Sequence, residues 1–231
     1  MSTNLQTTPL ILSVETATLS GSVLLARGEA VLTSFTGDAG LSHSNTLLKD
    51  IDRILSDARV ELSDIDLFAV ASGPGSFTGL RIGIATVKGL AATLDCPCVG
   101  ISTLQAVAHS AGPSEKTVAL LGAGRGEVFA QLFSVTHEGV VTALDQASHI
   151  APQRLFEKYG SLERVLWCGE GAITNKTLLE DHTGWRVAPP TPNLAEHVSS
   201  LALMRFRENK LDNPDALQAI YVRPSDAELK V

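Results

Sequence analysis

The sequence predicts an α/β fold in which one order of elements, β-β-β-α-β-α-β-α, runs through the chain twice. Three observations predict it. Short apolar runs of strand length open each half, apolar residues at helical spacing follow them, and Gly73-Pro74-Gly75 joins a buried strand directly to a helix. The chain has 231 residues, of which 44% are apolar and 19% charged. That is enough for one large or two small domains whose cores need no disulfide or metal staple.

The elements follow in order. Leu10 to Val14, Gly21 to Ala26 and Val31 to Phe35 are apolar runs separated by Ser/Gly and Arg-Gly turn signals, which predicts a three-strand meander. Leu47, Leu48, Ile51, Ile54, Leu55 and Ala58 then recur at helical spacing, after Ser42 and Ser44, either of which can cap the first turn. Leu67 to Ala71 reads as a buried strand. Ser76 to Leu94 contains no proline and is apolar on nearly every side, which predicts a second helix. Cys98 to Ile101 reads as a strand, and a helix capped by Ser102 or Thr103 runs through His109. After a polar stretch at 111–116 the order returns, with strands near 117–121, 127–135 and 139–142, a helix near 152–159 and a strand at 164–168. A helix near 172–181, a strand at 185–188 and a helix at 193–208 complete it. The expected division is therefore an N-terminal lobe, 1–110, and a C-terminal lobe with its tail, 111–231. Each lobe is a ribonuclease-H-like unit, and two such units make the two-lobed actin-like (ASKHA) fold.

Composition narrows the function. With 18 basic and 25 acidic residues the formal charge is −7, which opposes non-specific attraction to a phosphate backbone. Cys96, Cys98 and Cys168 cannot pair evenly, and a Cys-Pro-Cys pair is two ligands short of a structural zinc site, so reduced thiols and a cytoplasmic location are expected. The amino terminus reads as polar, without a signal peptide. The longest apolar segment, Ile82 to Leu94, contains Lys88 and is shorter than the roughly 18 residues of a membrane span, so no membrane association is expected.

The run from Gly73 to Gly83 is the most informative in the chain. It lacks the Lys-Ser/Thr of a Walker loop, the glycines that would flank a nucleophile at Ser76, and the third glycine of a dinucleotide fingerprint. Its glycines permit a tight turn and close helix packing, and the helix start that follows can receive an anion. On a helical wheel Leu80, Ile84, Val87, Leu90, Ala91 and Leu94 form one bulky arc. Gly79, Ile82, Ala85, Thr86, Gly89 and Ala92 form the opposite one, small and nearly uncharged. The bulky arc covers a sheet; the small arc calls for a second helix, from this chain or another.

The run Ser72-Gly-Pro-Gly-Ser-Phe-Thr-Gly-Leu-Arg-Ile-Gly83 closely resembles the signature of the Gcp-like family, in its TsaB/YeaZ branch. Leu12-Ser-Val-Glu-Thr-Ala-Thr18 resembles that branch's first strand and turn, Gly-Arg-Gly-Glu-Val at 124–128 its second-lobe turn, and Tyr221-Val222-Arg223 its carboxy-terminal Tyr-Leu-Arg. The resemblance implies a non-catalytic accessory and dimerisation subunit of the complex that installs threonylcarbamoyl on adenosine 37 of tRNAs reading ANN codons. Its implied partners are the catalytic paralogue TsaD and the ATPase TsaE. The resemblance further implies a homodimer when the subunit is alone, and a tRNA contact that is indirect or weak. The first two helices carry the interface, which here selects Leu47, Leu48, Ile51, Ile54 and Leu55 on the first. On the second, with the turn before it, it selects Ser76, Phe77, Thr78, Gly79, Arg81, Ile82, Ala85 and Gly89.

The residues limit what chemistry can accompany that role. Catalytic relatives hold a metal with two histidines at i and i+4 on a helix, whereas the six histidines here are at least twelve residues apart. No metal site and no catalytic residue are therefore expected. Actin-like ATPases place acids at the first turn of each lobe. By resemblance Glu15 stands where many relatives carry Asp, and Gly122 where the pattern places its second Asp. Thr16, Thr18 and Ser20 can offer hydroxyls to a nucleotide, although hydroxyls in such turns more often bond their own backbone. Glu15, Thr16 and Thr18 are thus the nucleotide-contact candidates, with ATP or ADP at a subunit interface as the only cofactor left open. An actin-like ATPase or kinase acting alone is the alternative function. A ribonuclease-H-like nuclease is disfavoured, because the fourth strand ends Ala71-Ser72-Gly73 without an acid.

Overall fold

Two sheets with the same strand order organise the chain, and a computed structural model describes residues 8–38 and 43–222, omitting the side chains of 43–45. The first sheet contains β1 (Leu10–Glu15), β2 (Ser22–Arg27), β3 (Ala30–Thr36), β4 (Leu67–Gly73) and β5 (Cys98–Ser102), in the order β3-β2-β1-β4-β5. The meander β1-β2-β3 is antiparallel, and β4 lies parallel to β1 with Leu12 opposite Phe68. The expected Ser42 or Ser44 cap, the His43 side chain and Arg223 lie outside the described residues.

Alternation along these strands assigns the two faces of the sheet. Leu10, Leu12, Val14, Val23, Leu25, Phe68 and Val70 point into one core, which is closed by α1 (His43–Ala58) and α2 (Phe77–Leu94). Leu24 and Ala26 point the other way and meet Ala195 of α7 (Leu194–Arg207). The α7 cap is tied into the same sheet: Asn193 Oδ1 accepts from the Glu196 amide, and Asn193 Nδ2 donates to Thr36 Oγ1 at 3.2 Å. The chain after α7 closes the β5 edge through Asp212, whose amide donates to the Cys98 carbonyl and whose carboxylate accepts from the Gly100 amide at 2.9 Å. Leu217 then enters the α1/α2 core.

The second sheet repeats the pattern. It contains β6 (Ser114–Gly124), β7 (Glu127–Val135), β8 (Val141–Ala143), β9 (Ser148–Ile150), β10 (Leu166–Cys168) and β11 (Arg186–Val187). Their order is β8-β7-β6-β10-β11, with β9 paired to β7. Val118, Leu120, Val128, Ala130 and Trp167 share one core with α4 (Leu155–Tyr159), α5 (Glu170–Thr174) and α6 (Lys176–Glu180). Trp167, Trp185, Tyr159 and Phe156 interlock there, with centroids 4.7 to 5.7 Å apart. On the other face α3 (Thr103–Ser110), capped by Ser102, packs against β6 and β7.

The structure differs from the sequence reading at four points. The helix expected at 172–181 is broken at Asn175 into α5 and α6, β9 was not anticipated, and the one near 152–159 begins as a 3-10 turn. The division at 110/111 is crossed twice. Among the described residues, one compact unit falls within 1–72, 78–101 and 193–219, and the other within 73–77, 102–192 and 220–231. The physical reason is that α3 buries its apolar face on the second sheet and α7 on the first, so each crosses the sequence midpoint.

Candidate functional site

The two helices expected to carry an interface fall into different positions. On α1, Leu47, Ile51, Ile54 and Leu55 are 8% exposed or less and fill the core of their own sheet. This corrects the sequence expectation for those four: an amphipathic helix turns its apolar stripe to the nearest sheet, and here β2 and β3 take it. Leu48, outside the stripe, is 63% exposed.

On α2 the bulky arc turns inward, with Ile84, Val87 and Ala91 packed in the core of the sheet and Leu80 buried as well. Opposite them Thr78, Arg81, Ala85, Gly89 and Ala92 form an exposed row, preceded by exposed Ser76. Phe77 and Ile82 are half-buried at its border; Phe77 meets Tyr221 with centroids 5.3 Å apart. Gly79 is corrected. It is buried, and its carbonyl accepts a 2.7 Å hydrogen bond from Thr16 Oγ1. A Cβ on Gly83, one turn later, would sit 2.3 Å from that same hydroxyl oxygen. Gly83 thus makes room for Thr16, and Gly79 receives its hydrogen bond instead of offering a surface to a partner. Nothing lies within 4 Å of a Cβ at Gly89.

The candidates for nucleotide contact lie at the end of β1. Glu15 is buried, and its carboxylate accepts from the Thr18 amide at 2.7 Å and the Thr18 hydroxyl at 2.8 Å. The Thr16 hydroxyl is given to α2. Both hydroxyls therefore serve the protein's own backbone and turn. Glu15 and Thr16 border a cleft of about 110 Å³, together with Ser20, Ser22, Asp38, Thr46 and Asp50. Among the described residues three carboxylates, Glu15, Asp38 and Asp50, and no cationic side chain line it.

Sequence reasoning missed one carboxylate at the corresponding place in the second unit. Gly122 lies near the end of β6, and Glu170, just past β10, holds its Oε1 3.6 Å from where a Cβ at Gly122 would be. The signal was topological: β6 and β10 are parallel neighbours, so their carboxyl ends adjoin. Among the described residues no group of three His, Cys, Asp or Glu side chains is placed to hold a metal ion. The three cysteines are buried and free; burial pushes Cys96 and Cys98 up to about 11, helped by Asp66 and Asp212 respectively. Among the described residues no helix is long and apolar enough to cross a membrane.

Two sheets of matching order, each a meander extended by two strands beside its first, define an α/β protein of the actin-like (ASKHA) class with ribonuclease-H-like units. Residues 37–199 match the model of the family described as TsaD: tRNA N6-adenosine threonylcarbamoyltransferase, and the chain belongs to that family. It is 27% identical over 238 residues to the tRNA threonylcarbamoyladenosine biosynthesis protein TsaB of Escherichia coli (strain K12), covering 96% of this chain and 97% of that one. Its identity to the protein of the same description from Bacillus subtilis (strain 168) is 26% over 224 residues, covering 95% and 96%. A solved structure described as YeaZ from Pseudomonas aeruginosa superposes with a TM-score of 0.77 at 23% identity, over 92% of this chain and 99% of that one, a likeness of fold.

Proposed function

We propose that this chain is a non-catalytic accessory subunit of the complex that installs threonylcarbamoyl on adenosine 37 of tRNAs reading ANN codons. It supports a catalytic relative, TsaD, with the ATPase TsaE as a further partner. It acts in the cytoplasm, pairs with itself when alone and makes no strong tRNA contact of its own. The near end-to-end match to two proteins described as TsaB supports the pathway.

The observation that carries the docking role is the outward row of α2. A helix face turned to water ordinarily carries charge, and an exposed interior glycine costs about 1 kcal/mol against alanine. This row keeps Gly89 and spaces Ala85 and Ala92 around it, with Arg81 at one end. Small side chains let the backbone of a second helix approach closely, which gives the glycine a use that the isolated chain lacks. Leu48 and Ser76, both exposed, are further candidates on this reading.

Ala85→Arg tests it. Placing an unmatched charge in a closely packed interface costs several kcal/mol, of order 3. The variant is expected to keep the wild-type unfolding midpoint, to elute as a monomer in size-exclusion chromatography with light scattering, and to stop co-purifying with TsaD. Reconstituted modification without this subunit is expected to fall steeply. Wild-type association of the variant, or Mg-ATP turnover by the isolated chain, would sink the reading.

A further inference from the structure

We propose that Thr16 is a positioning residue for the docking row of α2, a refinement that rests on the docking role argued above. Thr16 is 1% exposed, and its hydroxyl donates to the Gly79 carbonyl at 2.7 Å. A carbonyl oxygen has two lone pairs, so this bond is made beside the helical one and not in its place. Gly83 lies one turn further, where any side chain would meet the Thr16 hydroxyl at 2.3 Å. The hydrogen bond holds the helix along its axis. The room left by Gly83 seats the Thr16 hydroxyl against the helix and opposes rotation.

The anchor itself is stiff. Thr16 directly follows β1, and the next turn is closed by the Glu15 carboxylate, which accepts from the Thr18 amide and hydroxyl. Thr78, Arg81 and Ala85 leave the same turns of α2 on the exposed side. A roll or slide of those turns therefore moves the row as a body, and the Thr16 hydrogen bond opposes it alongside the buried packing of Ile84 and Val87. Thr16 is buried and acts through α2.

The test uses the full chain and TsaD, with association measured by titration calorimetry and stability by urea unfolding. Thr16→Val keeps the shape and removes the donor; Thr16→Ser keeps the donor. Thr16→Val is expected to weaken association about tenfold, the order of one lost neutral hydrogen bond, at a temperature where the chain remains folded. Amide exchange across residues 79–83 is expected to rise with it, and Thr16→Ser to bring both back to within about twofold of wild type. Wild-type association by Thr16→Val, while Ala85→Arg fails to associate, overturns the positioning role and leaves the docking role standing. Wild-type association by both variants overturns both.

A second pair serves if Thr16→Val does not fold. Gly83→Ala presses a methyl against the Thr16 hydroxyl, and adding Thr16→Ala removes that oxygen, leaving ordinary contacts of 3.5 Å to the residue-16 Cβ and Val70. Association is expected to fall in the single variant and to recover partly in the double. Equal association by wild type, single and double variants overturns the proposal.

Discussion

At the scale of single residues, two glycines carry opposite consequences. Gly169 has φ +93°, and a Cβ there would lie 2.3 Å from the Leu120 carbonyl oxygen, so Gly169→Ala is expected to destabilise by about 3 kcal/mol in urea unfolding. Gly89 has open space around it, so Gly89→Ala is expected to stabilise the isolated chain by about 1 kcal/mol while weakening its association with a partner. A stabilised chain that associates as well as wild type would count against close helix approach at that position. His109 supplies a pH dependence. Burial holds its imidazole below the ordinary value of 6.5, so the unfolded chain binds the proton more readily than the folded one. The stability it contributes is complete above 6.5 and is lost as pH falls through the folded value. His109→Gln is expected to reduce the loss of unfolding free energy between about pH 7 and pH 5.

The two interface candidates show what an element can hide. The stripe Leu47, Ile51, Ile54, Leu55 and the bulky arc of α2 carry the same periodic signal, and both serve the core of one sheet. A helical stripe states that one face is buried but does not state against what. The opposite face of α2 was legible as unusual because it is nearly uncharged; of the row expected there Ala85, Gly89 and Ala92 are exposed, Ile82 and Thr86 half-buried and Gly79 buried. Gly79 could not be sorted from that row by spacing, since its bond comes from Thr16, 63 residues earlier. The assignment is testable on α1. Ile51→Glu is expected to cost about 4 kcal/mol and to unfold a large fraction of the chain, because it buries an unpaired carboxylate. Leu48→Glu is expected to change stability by less than about 0.5 kcal/mol. Equal effects on the denaturation midpoint would contradict the orientation of α1.

At the scale of the whole chain, the repeated order β-β-β-α-β-α-β-α was readable from local pattern, apart from β9 and the break between α5 and α6 in the second half. The units were not. α3 serves the second sheet and α7 the first, so the unit containing β1 to β5 is complete only with residues 193–219. A fragment ending at residue 110 is therefore expected not to fold, since Leu24 and Ala26 lose Ala195 and the core loses Leu217. Circular dichroism and amide exchange of that fragment would show it; a cooperative unfolding transition would refute the account.

Local information determined most of the strands and helices, the tight turn at 73–75 and the small residues Ala85, Gly89 and Ala92 on α2, because strand alternation, helical periodicity and turn chemistry act over a few residues. Only tertiary structure decided which sheet each helix covers, which carboxylate stands beside Gly122 and which glycines of the motif face inward. Those outcomes depend on contacts between residues far apart in the chain, where a buried apolar face accepts whichever surface of matching shape the fold brings to it.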